Sequence, residues 1–377
     1  MVRLVIKTMG VDIKMYYKYL HILWMDDLKF YENMVNMLNN ESAYFNKTEH
    51  FFITPFERVY KSLKKYDNVK LVTEKNMLKK YGSEAEVIFL HPMSLKKWQV
   101  IFIPNKIAKK IIWRTWGHDI RPFKIKRKIF SDIIRKQIDL LYKKKIHKFR
   151  GIGIANDIDR RNVENVFGKN IKTYIMSYGY DPEKFSFLQK IRKSKSNNNC
   201  LKVLVGHNSG IADRHFEIFE HLKKYRSENI MVVLPLAYGD TENAEKIKKK
   251  AYDIFDVSKV EIWSEFLPYE EYAKKINTID VAVIDNVYSN GLGNWMLLTF
   301  LRKKLYINRD GNIAESCKKK GIKINYTDQI DSQNFQEFSK YNFDPKLEEF
   351  AEISADDVCQ LWKNVLDEID LDLSQKR

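Results

Sequence analysis

The stretch VLVGHNSGIADRH, from Val203 to His215, constrains this chain more than any other. Its apolar lead-in, LKVLVG, reads as a strand buried on both faces, as in a parallel sheet. The run ends in a small polar turn, His207-Asn208-Ser209-Gly210. A helical pattern follows, with Ile211, Phe216, Ile218, Phe219 and Leu222 on its apolar side. A strand, a glycine-containing turn and a helix start are expected to offer free backbone N–H groups and a positive dipole end, which suit a phosphate. A second arrangement of this kind comes later, where IDVAVIDN (279–286) leads into YSNGLGNWMLLTFL (288–301). Either turn alone occurs in many loops. Two on one sheet point to a nucleotide diphosphate.

The surrounding pattern is α/β. Strand-like segments fall at Arg3–Met9, His50–Ile53, Val69–Thr73, Glu86–His91, Lys110–Thr115, Gly151–Ala155 and Thr173–Met176, with helical patterns between them, including Lys29–Leu38 and Ile129–Lys145. Such alternation predicts a parallel sheet with helices on both faces. RKSKSNNN (192–199) has no apolar residue and reads as a linker. The pattern then restarts with strands at Leu201–Val205, Ile230–Leu234, Val260–Trp263, Val281–Ile284, Lys304–Ile307 and Lys323–Tyr326 and amphipathic helices such as Tyr269–Ile276. The expected organisation is a first domain over 1–191, the linker, a second domain over 200–345, and a last helix within 346–377 that returns to the first domain. Ser354 and Asp357 have the spacing of a capping box for that helix. Two such domains leave a cleft at the carboxyl ends of their strands, where ligands of parallel sheets bind.

Composition narrows the partners. The chain has 377 residues, 44% hydrophobic, with a formal net charge of +17. Residues 121–150 carry twelve Lys or Arg against only Asp132 and Asp139. A polyanionic partner follows: phosphorylated substrates, anionic lipid headgroups or nucleic acid. Nucleic acid is the weakest of these, since no recognition motif and no stacking pattern of aromatics accompanies the basic residues. The three cysteines, Cys200, Cys317 and Cys359, are far apart and form neither a disulfide framework nor a metal-ligand spacing. No signal peptide and no apolar run of membrane-spanning length is read. The expected location is cytoplasmic, peripheral on the inner face of a membrane. GxxxxGK[ST], a GxGxxG after the first strand, CxxC and HExxH are all absent, so neither an ATPase nor a bound metal is implied.

Several constellations stand at strand ends. WRTWGHD (113–119) makes Asp119, then His118, candidates for a general base, with Trp113 and Trp116 placed to stack on a sugar; the alternative is a turn with Asp119 as cap and the tryptophans in the core. Asp12, in TMGVDIK (8–14), is a third base candidate or an N-cap. PLAYGD (235–240) places Tyr238 and Gly239 in a donor pocket or an ordinary strand-exit loop. In EIWSEFLPYEEY (261–272), backbone groups of Glu265, Phe266 and Leu267 can pair with a nucleotide base, or Phe266 and Leu267 can be core. The basic stretch has apolar residues at helical spacing, so Lys143, Lys144 and Lys145 face either anionic headgroups or plain solvent.

WRTWGHD, GHNSG…RH (206–215), PLAYG (235–239), FLPYEEY (266–272) and NGLGN (290–294) occur in the order seen in the bacterial 4-acetamido-4,6-dideoxygalactose (N-acetylfucosamine) transferases, glycosyltransferase family 56, and the chain resembles that family over roughly residues 110–310. The resemblance implies a GT-B fold, two facing Rossmann-like domains with an interdomain cleft. It also implies transfer of a deoxyamino sugar from a dTDP or UDP carrier to an undecaprenyl-diphosphate-linked saccharide, without cofactor or metal. It assigns Gly206, Asn208, Ser209 and Gly210 to the donor-phosphate loop; Ile211 and Arg214 depart from the family's pattern there, and Arg214 is a side-chain helper on its own chemistry. Tyr238, Gly239, Asn290, Gly291, Gly293 and Asn294 line the rest of the donor site, and Trp116, Gly117 and Asp119 stand on the acceptor side. The Glu-x7-Glu pair of many retaining GT-B enzymes is absent, Asn290 and Leu298 standing there. A nucleotide-sugar epimerase of the same fold is the enzyme alternative.

Overall fold

In the computed structural model the described residues are 16–26, 28, 31–74, 76–116, 118–120, 129–178, 181–192, 200–287, 291–350 and 355–375, the side chains of 118, 129–133, 182 and 349–350 excepted. The expected strand Arg3–Met9, Asp12, Gly117, the His118 side chain, Asn290, Ser354 and most of the 192–199 linker lie outside them. The chain divides into two compact units, Met1–Tyr180 with Ser354–Arg377, and Asp181–Ile353.

The first unit is built on seven parallel strands: β1 (Tyr17–Leu23), β2 (His50–Thr54), β3 (Val69–Leu71), β4 (Ala85–His91), β5 (Ile111–Arg114), β6 (Gly151–Ile154) and β7 (Thr173–Ile175). Their order is β3-β2-β1-β4-β5-β6-β7. The chain direction across the sheet reverses between β1 and β4, which makes the carboxyl ends there a natural ligand crevice. On one face Leu20, Ile22, Ile53, Ile88, Leu90 and Trp113 form the core. β1, YKYLHIL, does not read as a strand from its sequence, because Lys18 and His21 interrupt the apolar run. Both are reconciled with burial by tertiary partners. Lys18 Nζ lies 2.9 Å from Glu49 and 2.7 Å from Asp370.

His21 belongs to a row of three histidines on adjacent strands. His50 Nδ1 lies 3.0 Å from His21 Nε2, and His21 Nδ1 lies 3.1 Å from His91 Nε2. All three are buried. Phe52 and Phe89 stack on either side of His21. The helix Ala355–Ser374 covers this face. Trp362 packs its ring on His91 and Phe89 and donates from Nε1 to the Ser177 carbonyl at 2.5 Å, while Tyr19 donates to Asp370 at 2.5 Å. The last helix is therefore part of the first unit.

The second unit carries six parallel strands: β8 (Leu201–Val205), β9 (Ile230–Pro235), β10 (Val260–Trp263), β11 (Val281–Ile284), β12 (Lys304–Ile307) and β13 (Asn325–Tyr326). Their order, β10-β9-β8-β11-β12-β13, again reverses, here between β8 and β11. The division between the units falls one helix earlier than the expected boundary at 191. The helix Pro182–Arg192 belongs to the second unit, because Arg192 packs over the Phe300 ring and Asn277 Nδ2 donates to the Ile191 carbonyl. Glu348 pairs with Arg192 and Arg302, so the chain just beyond 345 also stays with this unit rather than with the last helix.

The helix after β8 departs from its expected shape. A short 3-10 turn, Ile211–Asp213, intervenes and the α-helix begins only at His215. Ile211 (77% exposed) and Phe216 (38%) are accordingly outside the core, while Ile218, Phe219 and Leu222 are within it.

The histidine row gives the first unit a pH dependence. Burial holds His50 down to about 3 and His21 and His91 well below their ordinary value. The unfolded chain takes up protons near 6.5 while the folded row does not. Stability is thus fully present above that pH and is lost as pH falls through it, by up to about 1.4 kcal/mol per pH unit per histidine. Urea midpoints measured from pH 7.5 to 5 will fall steeply below 6.5. The dependence will be shallower in His21→Phe.

Candidate functional site

At the carboxyl end of β8 the chain turns through Gly206, whose φ is +68°. A Cβ there would stand 2.6 Å from His215 Nε2 and 2.9 Å from Asp213 Oδ2, so glycine is required by both conformation and space. The turn is organised by a buried carboxylate. Asp213 Oδ2 accepts from the backbone N–H groups of His207 (2.6 Å) and Asn208 (2.9 Å), and its Oδ1 lies 2.8 Å from His207 Nδ1. His207 Nε2 is 2.9 Å from Asn208 Nδ2, which fits the tautomer with its proton on Nδ1. Burial alone would push the Asp213 carboxyl up; the hydrogen bonds and electrostatic attraction of His207 outweigh it and hold the group below its usual value.

Three turns meet here. Gly291 (φ +66°) caps the helix Leu292–Phe300 after β11, and a Cβ on it would strike the His207 ring at 2.6 Å. Gly239 (φ +118°), after β9, lies against Ser209 and Gly210, where a Cβ would stand 2.6 Å from Ser209 Oγ. Ser209 donates from both N–H and Oγ to the Tyr238 carbonyl, each at 3.0 Å. The half-exposed Tyr238 side chain reaches Asn208 and Asn294. Gly206, Asn208, Ser209, Gly210, Tyr238, Gly239, Gly291 and Asn294 are thus brought together at the switch point of the second sheet.

The division of labour among these turns differs from the expectation. The N–H groups of 206–210 are not free. Gly206 donates to Val283, His207 and Asn208 to Asp213, Ser209 to Tyr238 and Gly210 to Asn208 Oδ1. The loop is a rigid wall. The open donors are at the other turn: helix geometry leaves the N–H groups of Leu292, Gly293 and Asn294 without intrahelical partners, no side-chain cap for them is found among the described residues, and a Cβ on Gly293 would meet nothing within 4 Å. Arg214 supplies the cation. It sits in left-handed conformation (φ +51°), is 39% exposed, and holds Nη1 3.2 Å from Asp285 Oδ2. Asp285 is buried at the end of β11 and accepts from Asn308 at 3.0 Å. Burial pushes its carboxyl up and Arg214 opposes this.

His207, Asp213 and Asp285 were not singled out by sequence. Asp213 resembles an ordinary helix cap. The usable signal for Asp285 was a carboxylate directly after an apolar parallel strand, where ligands gather. Glu265, Phe266 and Leu267 follow the edge strand β10. Phe266 is 84% exposed and so is not core, contrary to one of the two readings.

In the first unit, Trp113 is fully buried and donates from Nε1 to Asp119 Oδ2 at 2.9 Å. It is a core residue and cannot stack on a sugar. Trp116 is partly buried and bonds the Tyr178 hydroxyl at 2.5 Å. Asp119 Oδ1 accepts from the Trp116 N–H at 2.9 Å, so both carboxylate oxygens bind the turn that carries them.

Solved structures share this architecture. The chain superposes on Anabaena HepE in complex with UDP with a TM-score of 0.63 at 9% identity, covering 93% of this chain and 100% of that one. A glycosyltransferase from Rickettsia africae gives 0.60 at 11% identity over 94% and 98%. The UDP-forming α,α-trehalose-phosphate synthase of Burkholderia vietnamiensis gives 0.58 at 8% over 94% and 99%. The fold is that of the GT-B glycosyltransferases. Residues 18–369 match the model of the 4-alpha-L-fucosyltransferase family, glycosyl transferase group 56, and the chain belongs to that family. It is a glycosyltransferase.

The Asp119 contacts set a testable requirement. Asp119→Asn turns an acceptor for the Trp113 indole N–H or the Trp116 N–H into a donor. We expect it to lose about 1–3 kcal/mol of stability in chemical denaturation. A variant with unchanged stability and a large drop in turnover would assign the carboxylate to chemistry instead.

Proposed function

We propose that this protein moves a deoxyamino sugar from a dTDP or UDP carrier to a lipid-linked saccharide, with the leaving diphosphate stabilised by the protein rather than by a metal ion. The observation that carries the reading is the open helix start at Leu292–Asn294, whose cap Gly291 packs against a wall with its backbone N–H groups spent, together with Arg214 paired to Asp285 at the end of the preceding strand β11. Charge develops on the diphosphate as the glycosidic bond breaks. Fixed N–H dipoles and a guanidinium directed at that charge lower the barrier without reorganising. Asp285 keeps Arg214 extended across the switch point, and the Asp213–His207 pair holds the wall against Gly291. Glu265, Phe266 and Leu267 are placed at the β10 edge to take the base. On the acceptor side Trp116 remains the aromatic candidate, and Asp119, His118 and Asp12 remain the proton acceptors proposed.

Gly291→Ala tests the wall and the helix start together. The added methyl meets the His207 ring and a positive φ, so nucleotide affinity should fall by about tenfold or more in titration calorimetry, corresponding to about 1.4 kcal/mol. Transfer by the unmodified protein should persist in EDTA. Loss in EDTA with recovery on adding Mg²⁺ would transfer the diphosphate's stabilisation to a metal.

The lipid-linked acceptor places the protein at a membrane surface. Among the described residues no helix is long and apolar enough to cross a membrane. The helix Ile129–Ile146 carries Ile134, Ile138, Leu140 and Leu141 exposed to solvent, and Trp98 (56%) and Phe102 (78%) are exposed on the neighbouring segment. Lys143 and Lys144 flank these. Lys145 does not face outward as expected: its ammonium donates to the Ile103 carbonyl at 2.7 Å and to Asn105 at 2.9 Å. Apolar contact plus basic charge suits an anionic leaflet, each lysine near it being worth about 1 kcal/mol. In flotation, the protein should rise with phosphatidylglycerol vesicles and not with phosphatidylcholine. The Ile138→Asp/Leu141→Asp variant should stay at the bottom. Equal flotation of the variant would remove this face from the role.

A further inference from the structure

A second basic feature lies in the first unit, at the amino ends of its strands and so at the sheet edge opposite the crevice of that unit. A cavity of about 710 Å³ opens there, with Lys109, Lys110, Lys148, Arg150 and Lys172 in its lining against two carboxylates, Glu86 and Asp372. The sheet produces the cluster: these cations immediately precede β5, β6 and β7, whose parallel starts bring them side by side.

Three of the cations are committed in part. Lys110 Nζ donates to the Ala85 carbonyl at 2.5 Å. Lys172 Nζ lies 2.7 Å from Glu368 and 3.3 Å from Asp372. Lys148 Nζ is 3.4 Å from Asn105 Oδ1. Arg150 is different. Its side chain is only 9% exposed, its Nε has no hydrogen-bond partner among the described residues, and Nη1 stands 3.7 Å from Asp372 Oδ2, beyond hydrogen-bond length. A guanidinium taken out of water needs its donors satisfied. Its planar fork matches the oxygens of a phosphate, which accept two parallel hydrogen bonds. Lys109 and Lys148 are exposed, and the volume is that of a ligand pocket.

We propose that this cavity is an anion site that takes a phosphate or diphosphate group on Arg150, with Lys109 and Lys148 closing over it. It lies in a different compact unit from the donor turns and uses none of their residues. The phosphate can belong to a lipid headgroup or to a soluble molecule, and the two sources are separable.

Inorganic pyrophosphate titrated into the full chain, with UDP present to fill the donor turns, should show saturable binding. Arg150→Met, which keeps the volume and removes the charge, should abolish it. Lys109→Gln/Lys148→Gln, both at exposed positions, should weaken it about tenfold or more and keeps the test open if Arg150→Met does not fold. Gly291→Ala should leave it unchanged, which separates this site from the donor site. Sedimentation with phosphatidic-acid vesicles distinguishes the source. Binding that pyrophosphate competes away, and that the lysine variant loses, assigns a headgroup; vesicle binding indifferent to the variant assigns a soluble phosphate. No pyrophosphate binding beside UDP, or equal binding by the lysine variant, would overturn the proposal.

Discussion

Much of the second unit's site depends on one buried carboxylate. Asp213 accepts two successive backbone N–H groups and holds the His207 ring, and through that ring it sets how close the turn after β8 comes to the helix start after β11. A carboxylate this deeply buried is costly unless it is compensated, and here Oδ2 accepts both N–H groups while Oδ1 stands 2.8 Å from His207 Nδ1. Gly206, Gly239 and Gly291 follow from it. Each occupies a place where a side chain would strike His215, Ser209 or His207, so the three turns pack at backbone distance. On the side of Gly293, by contrast, an added Cβ would meet nothing within 4 Å.

This arrangement separates rigidity from recognition. A loop whose N–H groups are all spent internally does not rearrange when a charged ligand arrives, and it offers that ligand no binding energy. In the proposed function, recognition falls to the N–H groups at 292–294, which have no partner among the described residues, and to Arg214, which is paired with Asp285 and lies partly in solvent. Electrostatic stabilisation of a leaving diphosphate is most effective when the donors are already fixed, and the packing around His207 fixes them.

The first unit solves a different problem by similar means. Its central strand carries a histidine between two phenylalanines, and the row His50–His21–His91 satisfies its ring nitrogens mainly within itself. The C-terminal helix closes over the row with Trp362 and anchors through Asp370 to Lys18 and Tyr19. The end of the chain is therefore structural to the unit formed by its beginning.

The apolar runs Leu201–Val205 and Val281–Ile284 were legible as parallel strands, because a strand buried on both faces has to be continuously hydrophobic; Val260–Trp263, at the sheet edge, and Lys304–Ile307 are also found where the pattern put them. The need for glycine at Gly206, Gly239 and Gly291 was legible too, since few other residues reach positive φ. β1 was not legible, because local pattern counts His21 and Lys18 as polar and cannot know that two other histidines and two carboxylates await them. Nor could the sequence show that the 206–210 N–H groups are spent: that follows from Asp213 folding back under the turn, and from Tyr238 arriving by way of a different strand. Trp113 and Trp116 looked equivalent in WRTWGHD, and strand alternation with the Asp119 clamp sent one into the core and left the other at its edge. Sequence by itself determined most of the strands other than β1, which turns need glycine, and the family. Tertiary structure alone decided which hydrogen-bond donors remain available to a ligand, because that depends on partners far apart in the chain.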